Sequence, residues 1–127
     1  MKKKRILIVD DEEMIRTLLF RALKSFGYDE IVTVENGIKA IKQLSENYFD
    51  LIITDFMMPE MDGLELIQKI RMMNLSIPII VITADGPENK LLKSGASACL
   101  KKPFNILELQ RTLKNIIGVD KVSSFFV

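Results

Sequence analysis

The chain has 127 residues, 48% of them hydrophobic and 28% charged, which predicts one compact soluble domain rather than two domains, a fibre or a disordered tail. It contains no histidine and one cysteine, which excludes imidazole bases and ligands, phosphohistidine, cysteine-rich zinc sites and an internal disulfide. The net charge of +1 provides no general field for nucleic acid or anionic membranes, so we expect neither as a direct partner.

The basic N-terminus, residues 1–5, does not begin a signal peptide. The apolar run after it has only four residues, against the ~7 to 15 of a signal core, and it stops at Asp10. No window reaches the ~18 consecutive apolar residues of a membrane span. Together with the lone cysteine, these features predict a cytoplasmic protein.

Short apolar, β-branched runs alternate with segments of helical periodicity five times along the chain. The predicted strands are 6–9, 31–34, 51–54, 79–82 and 98–100. The predicted helices carry apolar faces at Met14, Ile15, Leu18, Leu19, Ala22, Leu23 and Phe26, then Ile38, Ala40, Ile41 and Leu44, then Leu64, Ile67 and Ile70. A short helix over 88–93 and a last helix with Ile106, Leu109, Leu113, Ile116 and Ile117 inward complete the pattern.

Predicted helix ends come from local signals. Asn36, Asp62 and Asn105 are expected to begin helices, and Gly27 to end one. Cys99 is expected to be a small buried hydrophobic residue, and a set of methionines to fill gaps in the core. The methionines are Met57, Met58, Met61, Met72 and Met73.

Alternating strands and helices predict right-handed crossovers and a doubly wound α/β domain with a parallel sheet. Ligands of such sheets bind at the carboxyl ends of the strands. Five polar side chains are expected at that edge: Asp10, Asp11, Asp55, Thr83 and Lys102.

These residue types are suited to phosphoryl transfer. Neighbouring carboxylates resist joint ionisation unless a cation lies between them, and oxygen ligands without histidine or cysteine favour Mg²⁺. Lys102 can pair with a phosphoryl group, and Thr83 offers a hydroxyl. Asp55 stands alone at the end of the central strand, so it is our candidate nucleophile for an aspartyl phosphate. Each residue also has an ordinary structural interpretation, and their convergence on one edge favours a functional site.

The sequence resembles the receiver domain of bacterial two-component response regulators over about residues 4–117. The matching motifs are the acidic pair in 8–12, the segment 55–63 around Asp55, Thr83-Ala84, Gly95-Ala96 and Lys102-Pro103-Phe104. The resemblance implies a flavodoxin-like, five-stranded sheet in the order 2-1-3-4-5.

The resemblance also implies roles for single residues. Asp10, Asp11, Asp55 and the Met57 carbonyl would bind Mg²⁺, and Asp55 would accept a phosphoryl group from a histidine kinase or a histidine phosphotransfer protein. Thr83 and Lys102 would bind that group, the bond before Pro103 would be cis, and the fourth helix, fifth strand and fifth helix would carry the output to an unknown target.

Two departures fall on the output face. Cys99 stands where most members carry a switch aromatic, and the segment between Thr83 and Gly95 is shorter than usual by about one helical turn. Asp85 and Met57 stand where the family tunes water access, which leaves the lifetime of the phosphorylated state open.

Two other functions remain open at this point. A degenerate receiver would bind its partner independently of phosphate. A small aspartyl-phosphate phosphatase would usually carry an aspartate two residues after the nucleophile, where this chain has Met57.

We expect a receiver domain over 1–118, present as a monomer or weak dimer. Residues 119–127 are expected to be a tail or a truncated linker, in which 125–127 could pack back on the domain, join a dimer contact or fray.

Overall fold

The structure, a computed structural model, describes residues 3–118 and confirms the predicted alternation of strands and helices. The strands are β1 (Arg5–Val9), β2 (Glu30–Val34), β3 (Leu51–Asp55), β4 (Ile79–Thr83) and β5 (Ala98–Lys101). The helices are α1 (Glu13–Ser25), α2 (Gly37–Glu46), α3 (Gly63–Met72), α4 (Glu88–Ser94) and α5 (Ile106–Ile117). The strands form one parallel sheet in the order β2-β1-β3-β4-β5, as expected.

Both faces of the sheet are covered, which explains why the central strands β3 and β4 are mostly apolar and fully buried. Successive side chains of β1 point to opposite faces: Leu7 and Val9 pack in the cluster that includes α2, α3 and α4, whereas Ile6 and Ile8 pack in the cluster that includes α1 and α5. The sheet is thus held between two layers of helices, and its carboxyl edge is left for a site.

The predicted helix ends are confirmed. The side chains of Asn36, Asp62 and Asn105 each accept a backbone hydrogen bond from the third residue of the helix they begin. Asp62 and Asn105 complete capping boxes with glutamates three residues on. Gly27 follows α1 with a φ of 100°, the left-handed conformation that suits glycine at a helix end.

Several residues expected to face inward are exposed instead. Met14 and Leu18 lie at the edge of the α1 stripe because a helix advances about 100° per residue, and the buried side is centred on Leu19 and Leu23. Ile106 is the first residue of α5, a turn before the buried Leu109, and is also exposed. The same correction applies to Ile38.

The methionines divide into two groups. Met58 is buried, and Met61 and Met73 pack against the core, as expected for gap-filling residues. Met57 and Met72 are exposed, so the core interpretation was wrong for them. Met57 lies in the loop after β3 and Met72 at the end of α3, where neither faces the sheet.

Within residues 3–118, every helix is too short or too polar to cross a bilayer. The predicted boundary after residue 118 and the expectations for residues 125–127 concern a segment outside the described residues.

Candidate functional site

The carboxyl edge of the sheet brings the predicted polar residues together. Asp10 directly follows β1, Asp55 ends β3, Thr83 ends β4 and Lys102 directly follows β5. In the sheet, Asp55 is paired with Ile82, the residue before Thr83. Parallel strands in this register end at the same edge, which explains how residues far apart in sequence become neighbours.

Three carboxylates form the centre of this edge. Asp10, Asp11 and Asp55 can each present one oxygen such that the three oxygens lie within 4.8 Å of one another. Asp10 and Asp55 are buried, and Asp11 is exposed to solvent. Like charges this close favour a cation between them.

Asp10 is held from two sides. Its Oδ1 accepts a hydrogen bond of 2.8 Å from the backbone N–H of Glu12, and its carbonyl accepts one of 2.8 Å from Nη1 of Arg16 in α1. Burial raises the pKa of Asp10 from 3.8 to about 6. The Glu12 hydrogen bond acts to lower this pKa, and the Asp55 charge raises it further. A cation beside Asp10 would therefore offset the cost of its buried charge.

Lys102 supplies the positive charge of the site. Its Nζ donates to Oδ1 of Asp55 over 2.9 Å, and the Asp55 side chain is 5% exposed. Burial acts to lower the pKa of Lys102, but the hydrogen bond and charge of Asp55, with the Asp10 charge, outweigh it and hold that pKa above its ordinary value. Lys102 is thus a charged ammonium placed at the carboxylate that we identified as the candidate nucleophile.

Thr83 is connected to the loop that leads to α4. Its Oγ1 accepts a hydrogen bond of 2.6 Å from the backbone N–H of Gly86. A Cβ at Gly86 would lie 2.6 Å from Thr83 Oγ1 and 3.2 Å from Cδ2 of Phe56, so this close approach requires glycine. The carbonyl of Thr83 accepts from the N–H of Lys102, whose peptide bond to Pro103 is cis as the resemblance implied.

The sequence interpretation did not identify several residues that shape the site. The N–H of Gly63, the first residue of α3, donates to the Phe56 carbonyl over 2.8 Å. A Cβ at Gly63 would lie 3.0 Å from the Asp55 carbonyl oxygen. Gly63 therefore lets α3 begin against the strand that carries Asp55, and the Asp-Gly pair was the available signal. Nothing in the sequence distinguished Arg16 from other helix arginines.

Met57 and Cys99, two further residues of the sequence analysis, differ in their surroundings. The Met57 side chain is 72% exposed, and the proposed role of its carbonyl stays a prediction. Cys99 is half-buried against the core rather than fully buried. Burial and, second, the Glu88 charge raise the pKa of its thiol, which disfavours the reactive thiolate.

The donor set fits a hard divalent cation. It consists of carboxylate oxygens, with an exposed member, Asp11, through which the cluster reaches solvent. Mg²⁺ is commonly held by one or two carboxylates and several waters, which suits a cluster that is open on one side.

Comparison with known proteins gives a consistent family assignment. Residues 6–114 match the family model of the response regulator receiver domain. The chain is 39% identical over 111 residues to the sensor histidine kinase RcsC of Escherichia coli K12, an alignment that covers 85% of the chain but only 12% of RcsC.

Solved structures show the same fold. The chemotaxis protein CheY4 of Vibrio cholerae is 33% identical with a TM-score of 0.84, over 91% of this chain and 100% of that one. The receiver domain of the sensor histidine kinase PA1611 of Pseudomonas aeruginosa, solved with a magnesium ion coordinated in the active site cleft, is 33% identical with a TM-score of 0.82, over 92% and 99% of the two chains. Fold, strand order and family model agree, and the chain therefore belongs to the response regulator receiver domains, the signalling modules of two-component systems.

Proposed function

We propose that Asp55 is the phosphoacceptor of this receiver domain, and that Thr83 and Lys102 bind the phosphoryl group. The observation that carries this proposal is the 2.9 Å contact between Lys102 Nζ and Asp55 Oδ1 at a buried strand end beside two further carboxylates. The contact supports it because the ammonium can neutralise charge on the transferred group without moving far.

The chemistry is a transfer between two nucleophiles. A carboxylate oxygen of Asp55 forms a bond to phosphorus as the bond between phosphorus and a donor imidazole nitrogen breaks, and the imidazole keeps the electron pair and takes up a proton. These 127 residues contain no histidine, so the donor imidazole lies outside them. Lys102 pairs with the transferring oxygens, and the Thr83 hydroxyl donates to one of them.

We propose Mg²⁺ as the cofactor, held by Asp10, Asp11, Asp55 and the Met57 carbonyl. When bound, the ion neutralises charge on the phosphoryl oxygens and on the carboxylates around them. The three clustered carboxylates support this assignment, as does the magnesium ion in the cleft of the related PA1611 receiver.

The output follows from the added charge. A phosphoryl group of roughly −1.5 to −2 at Asp55 attracts the Thr83 hydroxyl and Lys102. Movement of Thr83 disturbs the hydrogen bond that its Oγ1 accepts from Gly86, which lies in the loop 84–87 that leads into α4. The face formed by α4, β5 and α5 is therefore the surface that changes. Because Cys99 replaces the switch aromatic, the change is transmitted by Thr83 and this loop.

The partners follow from the same chemistry. The donor is a sensor histidine kinase or a histidine phosphotransfer protein, and the output goes to a downstream protein target that the chain does not name. We propose a monomer or weak dimer in the cytoplasm. The alignment with a small part of RcsC is compatible with a receiver that works beside a kinase.

The test is intact mass spectrometry after incubation with Mg²⁺ and acetyl phosphate. We expect one phosphoryl adduct in the wild type and in Asp29→Asn, a control aspartate that pairs with Lys3 away from the site, and none in Asp55→Asn. Chelation of Mg²⁺ should prevent the adduct. An adduct that persists in Asp55→Asn, or no adduct even with a phosphohistidine donor, would contradict the proposal.

A further inference from the structure

Arg71, in the last turn of α3, connects three parts of the chain through one side chain. Its Nη1 donates to the carbonyls of Leu75 over 2.8 Å and Ile77 over 2.9 Å, both in the segment that leads into β4. Its Nη2 donates to the carbonyl of Gly95 over 2.5 Å, directly after α4. A planar guanidinium with several donors suits three carbonyls at once.

Gly95 is shaped for this contact. Its φ of +121° is unfavourable for other residues, and a Cβ there would lie 2.7 Å from Arg71 Nε. The N–H groups of Gly95 and Ala96 donate to the carbonyls of Leu92 and Leu91, which closes the end of α4. Leu91 is the buried residue of this helix. The C-terminal end of α4 is therefore fixed by packing, helix closure and a charged donor.

The N-terminal end of α4 is held differently. Pro87 precedes the helix without a side-chain cap, and within residues 3–118 the loop before it is held to the end of β4 by the hydrogen bond from Gly86 N–H to Thr83 Oγ1. Hydrogen bonds from a charged donor contribute roughly twice as much as neutral ones. The helix α4 is thus strongly held at Gly95, directly after its C-terminal end, and weakly held at Gly86, two residues before its N-terminal end.

We propose that Arg71 is a positioning residue that fixes the C-terminal end of α4, so that displacement of the helix is a pivot about Gly95 in which its N-terminal end moves. The pivot rests on the proposed function, because movement of Thr83 is what releases Gly86. The fixed end does not depend on phosphorylation. A helix of seven residues is about 10 Å long, which is short enough to turn as one rigid piece.

Native-state amide hydrogen exchange of the full chain tests the fixed end first, without phosphate. Arg71→Met should raise exchange at Gly95, Ala96 and Ser97 by roughly tenfold or more over the wild type, because a part-buried charged donor is lost. Arg71→Lys, which keeps the charge and can reach one carbonyl, should restore part of the protection.

Two further variants make the result specific. Gly95→Ala disturbs the same contact from the other side and should raise exchange at the same amides. Tyr28→Phe removes a hydrogen bond to the Gly118 carbonyl and should leave these amides unchanged. Protection at residues 95–97 that survives Arg71→Met, or that falls equally in Tyr28→Phe, would overturn the role of Arg71.

Loading with acetyl phosphate and Mg²⁺ tests the pivot. In the wild type, exchange should rise in the loop segment at Gly86, whose N–H donates to Thr83 Oγ1, and stay low in the segment 95–97, whereas in Arg71→Met it should rise in both segments. An equal rise at both segments in the loaded wild type would overturn the pivot. Absence of the phosphoryl adduct by intact mass would instead count against the proposed function, and the comparison without phosphate would still decide the role of Arg71.

Discussion

Replacing the buried carboxylate of Asp10 should make the metal-free protein more stable. Asp10 is 1% exposed, and its carboxylate is charged at neutral pH although burial and the Asp55 charge oppose ionisation. Asp10→Asn removes the charge and keeps an oxygen that can accept from the Glu12 N–H. The buried charge that we propose to bind a cation should thus lower the stability of the metal-free fold.

The magnitude follows from the pKa. Burial raises the Asp10 pKa from 3.8 to about 6, and one pKa unit corresponds to about 1.4 kcal/mol. The folded state therefore binds its proton more tightly than the unfolded state, and stability is lost as the pH rises from about 4 through 6. Above that range, the loss is about 3 kcal/mol, which Asp10→Asn should recover in the free energy of unfolding.

The assay is urea denaturation in a chelating buffer at pH 3.5, 5 and 7.5. The stability difference between Asp10→Asn and the wild type should be near zero at pH 3.5 and largest at pH 7.5. Asp11→Asn removes a charge from an exposed neighbour and should change stability much less. Mg²⁺ at 100 times its Kd should add about 2.7 kcal/mol to the wild type and less to Asp10→Asn.

A destabilising charge at Asp10 would be refuted if Asp10→Asn were no more stable than the wild type at pH 7.5 without metal. It would also fail if the difference were the same at pH 3.5 and pH 7.5, because a packing effect of the amide does not titrate.

Three other substitutions test separate parts of the structure. Lys102→Met leaves the buried Asp55 without the cation 2.9 Å away and should lower the free energy of unfolding at pH 8 by about 1 to 3 kcal/mol; an unchanged urea midpoint would contradict the pairing. Gly86→Ala places a Cβ 2.6 Å from Thr83 Oγ1 and should cost about 1 to 3 kcal/mol in thermal denaturation, whereas a neutral effect would show that the loop yields easily. Asn105→Ala should cost about 1 kcal/mol in urea and Asn105→Asp only a few tenths, and equal losses would argue against capping.

Much of the fold could be predicted because its signals are local. The apolar run of β3 ends at Asp55, and the cap at Asn36 uses atoms within three residues. The exposed positions of Leu18 and Ile106 could not be predicted in this way, because exposure depends on which side of each helix the sheet covers. Apolar residues at helical spacing therefore predict that a helix forms more securely than they predict which of these residues are buried.

The candidate site shows the same division. The acidic pair, Asp55, Thr83 and Lys102 could be chosen from the sequence because each follows or ends an apolar strand, and parallel strands end at a common edge. The raised pKa of Asp10 could not be chosen in this way, because it depends on neighbours and burial that only the folded chain creates.

The sequence by itself determined which elements form, in which order, and which residue types reach the carboxyl edge of the sheet, because periodicity and capping act over a few residues. The tertiary structure alone decided the contact between Lys102 and Asp55, the close approach of Gly86 to Thr83 and the three carbonyl contacts of Arg71. These contacts join segments that different strands and helices bring together, and their geometry is set by packing across the whole domain.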